Sequence, residues 1–208
     1  MNRTRIKICG LTREADVDAA VAAGADAIGL VFYDKSPRAV TVARAAELAR
    51  RLPPFVTPVG LFVNAQPQLI QEAVLAIPQL TLQFHGDEDE AACTRWQRPY
   101  LRAARVREGF DLLDFAAQFS SAQAILLDAF VDGYGGGGKV FDWSLLPPSV
   151  PSPVVLSGGL SAANVTDGVR RLRPWAVDVS SGVEEAKGLK NAALMQAFCA
   201  AVRLADAG

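Results

Sequence analysis

Eight short apolar runs alternate with eight segments of helical character along this chain, and that rhythm limits the folds open to it. The runs fall at residues 5–9, 27–32, 59–63, 80–84, 100–106, 124–128, 153–156 and 175–178. Several are nearly continuous, as in Ala27-Ile28-Gly29-Leu30-Val31-Phe32, which suits parallel strands covered on both faces. Between them, Thr12 reads as an N-cap and Gly24 as the left-handed residue that ends the first helix. Pro53-Pro54 stops the second helix, 41–51, and Pro67 opens the third, which runs to about Ile77. The acidic Asp87-Glu88-Asp89-Glu90 complements the dipole of the fourth. Residues 110–119, 162–172 and 189–205 give three more, and 142–145 leave room for only a short helix before Pro147-Pro148. Strict alternation over 208 residues favours a closed barrel over an open doubly wound sheet. The expected fold is therefore α/β, a single (β/α)8 TIM barrel with residues 1–208 in one catalytic domain.

Composition narrows the partners. The formal net charge is -1 with no basic run, which argues against nucleic acid. No apolar stretch is long enough to span a membrane, and residues 1–7 lack the apolar segment of a signal peptide, so the expected location is cytoplasmic. Cys9, Cys93 and Cys199 lie far apart and form neither a disulfide framework nor a metal knuckle. With His85 the lone histidine, a site of several His or Cys ligands cannot be built, and no metal site is expected. Cys93 and Cys199 fall within helices and read as small buried hydrophobes.

In a barrel of this kind the active site forms where strands end and the following loops begin. That rule selects Cys9 after the first strand, Gln83 and His85 after the fourth, Asp128 after the sixth and Asp178 after the eighth. Arg38, in Lys35-Ser36-Pro37-Arg38 after the second strand, is a natural bidentate partner for a carboxylate. Two glycine turns, Leu156-Ser157-Gly158-Gly159-Leu160 and Ser180-Ser181-Gly182, follow the seventh and eighth strands. Bare backbone N–H groups at adjacent turns of this kind cradle a phosphate, so the expected ligand is a small phosphorylated metabolite. Gly133-Tyr134-Gly135-Gly136-Gly137-Gly138-Lys139-Val140 has the spacing of a nucleotide-binding loop, but Val140 stands where Ser or Thr would ligate magnesium. A lid over the barrel mouth is the better reading.

Taken in order, Lys7-Ile8-Cys9-Gly10-Leu11-Thr12, Ser36-Pro37-Arg38, Gly60-Leu61-Phe62-Val63-Asn64, Leu82-Gln83-Phe84-His85-Gly86, Leu127-Asp128-Ala129, Leu156-Ser157-Gly158-Gly159-Leu160 and Asp178-Val179-Ser180-Ser181-Gly182-Val183-Glu184 resemble the phosphoribosylanthranilate isomerase family over essentially the whole chain. The resemblance implies an Amadori rearrangement in tryptophan biosynthesis that needs no cofactor. It implies Cys9 as general base and Asp128 as general acid. It further implies Arg38 on the anthranilate carboxylate, Gly158, Gly159, Ser180, Ser181 and Gly182 on the phosphate, Asp178 beside the ribose, and Gln83 and His85 near the base. On this reading the Cys9 thiol is shifted down by its surroundings and the Asp128 carboxyl up. Gly137 stands where relatives usually carry Thr or Ser, which implies a looser lid and a weaker KM. A related barrel acting on an aminoimidazole ribotide would need a second phosphate turn in the N-terminal half, where this chain has Arg38. The oligomeric state, monomer or homodimer, is left open.

Overall fold

A computed structural model describes residues 3–129, 143, 146, 147 and 149–207. Eight parallel strands close into a barrel in chain order: β1 Arg5–Cys9, β2 Ala27–Phe32, β3 Thr57–Phe62, β4 Thr81–Phe84, β5 Tyr100–Val106, β6 Ala124–Ala129, β7 Val154–Leu156 and β8 Ala176–Val179. Strand β1 pairs with both β2 and β8, which seals the ring. Helices α1 Glu14–Ala23, α2 Val42–Ala49, α3 Pro67–Ala76, α4 Glu90–Thr94 and α5 Leu112–Gln118 follow the first five strands, and α6 Val165–Leu172 follows β7. The glycine-rich loop at 133–140, with Gly137, and most of the short helix expected at 142–145 lie outside the described residues.

Strand periodicity sorts the barrel into an outside and an inside. Ile6 and Ile8 of β1, Ile28 and Leu30 of β2, and Leu82 and Phe84 of β4 join the main hydrophobic core, the layer that the helices cover. The alternate residues point inward. Beyond Arg5, Thr57 and Thr81 at the N-terminal rim, the inward residues Val59, Leu101, Ala103, Ala124, Leu126, Val155 and Ala176 form a second buried cluster. Toward the C-terminal end the same alternation delivers Lys7, Cys9, Gln83, Asp128 and Asp178, all buried. An apolar layer thus underlies the ionisable residues of the C-terminal rim.

Local signals explain most boundaries. Gly24 takes φ 90° and donates its N–H to Ala20 and Val21 at the end of α1. Thr41 accepts the Arg44 N–H at the start of α2, and Pro67 occupies the first turn of α3. Asp89 caps α4 by accepting the Ala92 N–H at 2.8 Å. The rest of the acidic run works differently: Glu88 accepts from the Asn64 and Gly86 N–H groups, and Asp87 pairs with Arg105. Thr12 is not an N-cap, because its hydroxyl donates to the Gly188 carbonyl and α1 opens at Arg13 without a side-chain cap.

The C-terminal segment departs most from the expected alternation. A hairpin, β9 Glu184–Ala186 and β10 Leu189–Lys190, is inserted between β8 and the last helix, α7 Ala192–Asp206. The turn is Lys187-Gly188, with Gly188 at φ 81°, a conformation that glycine adopts without a Cβ penalty. Residues 189 and 190 therefore belong to a strand and not to the helix expected over 189–205.

Candidate active site

The rim at the C-terminal ends of the strands encloses a cavity. Cys9, Arg38, Gln83, His85, Asp128, Gly158, Gly159, Asp178, Ser180 and Ser181 all line it. Of the residues singled out by sequence only Gly182 is set back from the wall. Its role there is spacing. A Cβ on Gly182 would overlap the Leu160 carbonyl oxygen and stand 3.2 Å from Ser161 Cα, so glycine lets the two glycine turns touch. In the first turn Gly158 and Gly159 take φ 82° and 66°, which L-residues with side chains rarely adopt. Ser181–Val183 form one turn of 3-10 helix. Helix α6 starts only at Val165, later than the expected residue 162, so the first turn precedes the helix by several residues.

On one side of the mouth, parallel register sets Lys7 of β1 beside Asp178 of β8. Lys7 Nζ donates to Asp178 Oδ1 at 2.8 Å, with both side chains almost wholly buried. Burial pushes the Lys7 ammonium down, but Asp178 and Cys9 outweigh it and the net shift is upward. Cys9 lies two residues on along the same face. Gly29, its register partner on β2, leaves the room it needs, since a Cβ there would overlap Cys9 Sγ. Burial pushes the Cys9 thiol up, and the nearby Lys7 and Lys190 charges only partly offset this. The downward shift expected from sequence is thus overturned: a fully buried sulfur loses more solvation on ionising than these cations restore. The thiol therefore sits beside a buried ion pair that does not fully offset its loss of solvent.

The other side is a row of hydrogen bonds. Gln83 Nε2 lies 3.2 Å from His85 Nδ1, and His85 Nε2 lies 3.1 Å from Asp128 Oδ2. With Asp128 ionised, His85 Nε2–H donates to it and the Gln83 amide donates to Nδ1. Gln83 Oε1 is then buried without a partner among the described residues. With Asp128 protonated the row reverses: the acid donates to Nε2, and Nδ1–H points back at a flipped amide whose oxygen accepts it. The row that starts at Gln83 and passes through His85 therefore ends at Asp128.

Arg38 crosses the entrance. Its Nε and Nη2 donate to Glu184 Oε1 and Oε2, each at 2.7 Å, a bidentate pair. The hairpin supplies a second cation, Lys190, whose Nζ donates to Glu184 Oε1 at 2.8 Å and to the Ser180 carbonyl at 3.0 Å. Sequence reasoning gave Glu184 and Lys190 no role. The available signal was the Lys187-Gly188 turn, which would have marked the hairpin. Among the described residues no cluster of three or more His, Cys, Asp or Glu is placed to hold a metal ion, and no helix is long and apolar enough to cross a membrane. Cys93 and Cys199 are buried in helices α4 and α7, away from the cavity.

Comparison with known proteins gives a consistent result. The family model for N-(5'-phosphoribosyl)anthranilate isomerase matches residues 6–201. The N-(5'-phosphoribosyl)anthranilate isomerase of Methylibium petroleiphilum is 75% identical over 99% of this chain and 96% of its own length. The crystal structure of phosphoribosyl anthranilate isomerase from Thermotoga maritima superposes with a TM-score of 0.88 at 38% identity, covering 96% of this chain and 98% of that one. A phosphoribosyl anthranilate isomerase in complex with reduced 1-(o-carboxyphenylamino)-1-deoxyribulose 5-phosphate gives 0.85 at 36% identity, with 96% and 98% covered.

Proposed function

This chain belongs to the N-(5'-phosphoribosyl)anthranilate isomerase family, and from that premise we propose how its own residues divide the work. The reaction is the isomerisation of N-(5'-phosphoribosyl)anthranilate to 1-(o-carboxyphenylamino)-1-deoxyribulose 5-phosphate in tryptophan biosynthesis. Asp128 is the general acid. It gives its proton to the furanose ring oxygen, the ring C–O bond breaks, and the anilino nitrogen supplies the electron pair that forms the Schiff base. Cys9 is the general base. As thiolate it takes the C2′ proton, the C–H electrons move into the enolamine, and tautomerisation delivers the ketone. No electrons leave the substrate, so the whole rearrangement is proton transfer.

The observation that supports this division is placement: Cys9 on β1 and Asp128 on β6 line one cavity from different strands of the barrel. His85 and Gln83 hold the acid's proton in line. Asp178, paired with Lys7, lines the ribose site. Arg38 receives the anthranilate carboxylate. The turns at Gly158-Gly159 and Ser180-Ser181-Gly182 receive the phosphate through their backbone N–H groups. The substrate is a small phosphorylated molecule with an anion at each end, and a cytoplasmic location belongs to the same proposal.

The test follows the loss of anthranilate-type fluorescence from phosphoribosylanthranilate generated in situ, with purified wild type, Cys9→Ala and Asp128→Asn side by side. Rapid turnover by the wild type and its loss in both folded variants is the expected result. Either variant retaining near-wild-type kcat would remove that residue from its role.

A further inference from the structure

Arg38 has two edges with which to grip a carboxylate, and Glu184 already holds one of them. The Nε/Nη2 edge is closed by the bidentate pair at 2.7 Å, which leaves Nη1 outside that pair on a side chain that lines the cavity. Glu184 is itself fixed from behind. Its side chain is only 5% exposed, and Lys190, fully buried, donates to it at 2.8 Å. The same Lys190 Nζ reaches the Ser180 carbonyl at 3.0 Å and the Ser180 hydroxyl at 3.3 Å. A continuous row, Arg38–Glu184–Lys190–Ser180, thus joins the entrance arginine to the second phosphate turn. Counted as charges, the row is two cations around one anion, so it stays net positive when empty.

We infer that Glu184 is a positioning residue for substrate recognition: it aims Arg38 so that the free end of the guanidinium meets the aryl carboxylate, and Lys190 holds that aim in register with the phosphate turn. This rests on the reading of Arg38 as the carboxylate's partner. A free arginine side chain would have to be ordered at the moment of binding, whereas one already held by a planar, two-point ion pair is preorganised. A buried carboxylate between two cations is also strongly constrained, because neither cation can leave without stranding charge. The spacing of the substrate's two anions is then matched by a rigid row of side chains and not by two independent contacts.

The test is the preference for the carboxylate, taken as the ratio of kcat/KM for phosphoribosylanthranilate to that for its aniline analogue, which lacks the carboxylate. Thermal unfolding of each variant is followed in parallel. Arg38→Met should collapse the ratio. Glu184→Gln should lower it about ten- to a hundredfold, the worth of a hydrogen bond to a charged group, through KM more than kcat. Lys190→Met, which leaves the Arg38–Glu184 pair, should lower it less, and Glu184→Asp should fall between wild type and Glu184→Gln. A Glu184→Gln protein whose two kcat/KM values fall in proportion, leaving the ratio unchanged, would show a merely structural residue and overturn the inference. An unchanged ratio in Arg38→Met would overturn the carboxylate reading beneath it and the inference with it.

Discussion

The two sides of the barrel mouth are built from different materials. The side that carries Cys9 is ionic: Lys7 and Asp178 form a buried pair, and Lys190 lies close enough to act on the sulfur. On the other side, no Lys or Arg among the described residues is bonded to Asp128. Its neighbours are an imidazole and an amide in a hydrogen-bonded row. The difference matches the direction of proton flow proposed above, with Cys9 as base and Asp128 as acid. A base must be able to lose its own proton before it takes another, and in a dry site only fixed charge can help with that. An acid must hold a proton and release it in one direction, and a row of groups that can donate or accept by switching tautomer does this without adding net charge.

If that contrast is right, the two catalytic residues should fail alike and their neighbours differently. Cys9→Ala and Asp128→Asn should each lower kcat by about a thousandfold or more, within the range of a lost general acid or base. Substrate affinity should change little, because neither side chain is assigned an anion of the substrate. A double variant no worse than either single variant would show that both act within one proton relay.

Lys7→Met attacks the ionic side. Lys7 is the strongest of the cations that favour the Cys9 thiolate, so removing it disfavours the charged form and pushes the thiol further up. The wild-type ascending limb of kcat/KM should lie above the ordinary thiol value of 9.0, the direction in which burial already moves Cys9. In the variant the limb should move higher still. Activity at neutral pH should then fall about tenfold or more, and raising the pH should recover part of it. The same change strands Asp178 in the barrel, at a cost of about 3–5 kcal/mol. Lys7→Met with Asp178→Asn removes that penalty and also the Asp178 charge that pushes the thiol up, so its limb should fall between those of Lys7→Met and the wild type. A pH profile superimposable on the wild type would show that the ionic side does not tune the base.

His85→Ala attacks the other side and should behave differently. It deletes the bond at 3.1 Å to Asp128, and kcat should fall about tenfold, the worth of one hydrogen bond to a charged group. The Cys9 limb should stay where it is, because no formal charge has been removed near the sulfur. His85→Gln, which can still donate or accept, should recover part of the loss. A limb that moved with His85 would join the two sides into one electrostatic unit and break the comparison.

How far this was legible in the sequence also differs between the two kinds of feature. The bounds of β1, β2 and β5 coincide with the runs read from the sequence; β2 is apolar on both faces, as a buried parallel strand can be, whereas β1 and β5 also carry Arg5, Lys7, Arg102 and Arg105 and were bounded by the turn residues around them. The polar residues at strand ends were legible too, since a charged side chain at the close of an apolar run has few places to go but the rim. The hairpin after β8 was not legible, because Leu189 and Lys190 are good helix formers and two residues are too few to show a period. With it went Lys190 and the role of Glu184. The state of Cys9 was not legible either: sequence shows the cation two residues away, but the desolvation that outweighs it depends on the closed barrel.

The smallest effect is expected behind the wall, at Gly182, where the contrast between the sides no longer applies. The added methyl of Gly182→Ala meets backbone, the Leu160 carbonyl, and not the far end of a flexible side chain. The two turns must move apart, and the N–H groups proposed to receive the phosphate lose their common aim. Charge on Cys9 and Asp128 is untouched. KM and the inhibition constant for inorganic phosphate should therefore both rise about three- to tenfold, the equivalent of one weakened hydrogen bond, while kcat stays within about twofold. Because phosphate alone reports on the turns and not on Arg38, a rise in KM without a rise in the phosphate constant would move the damage to the carboxylate end. It would make the row from Arg38 to Ser180 the connection through which a displaced turn is felt.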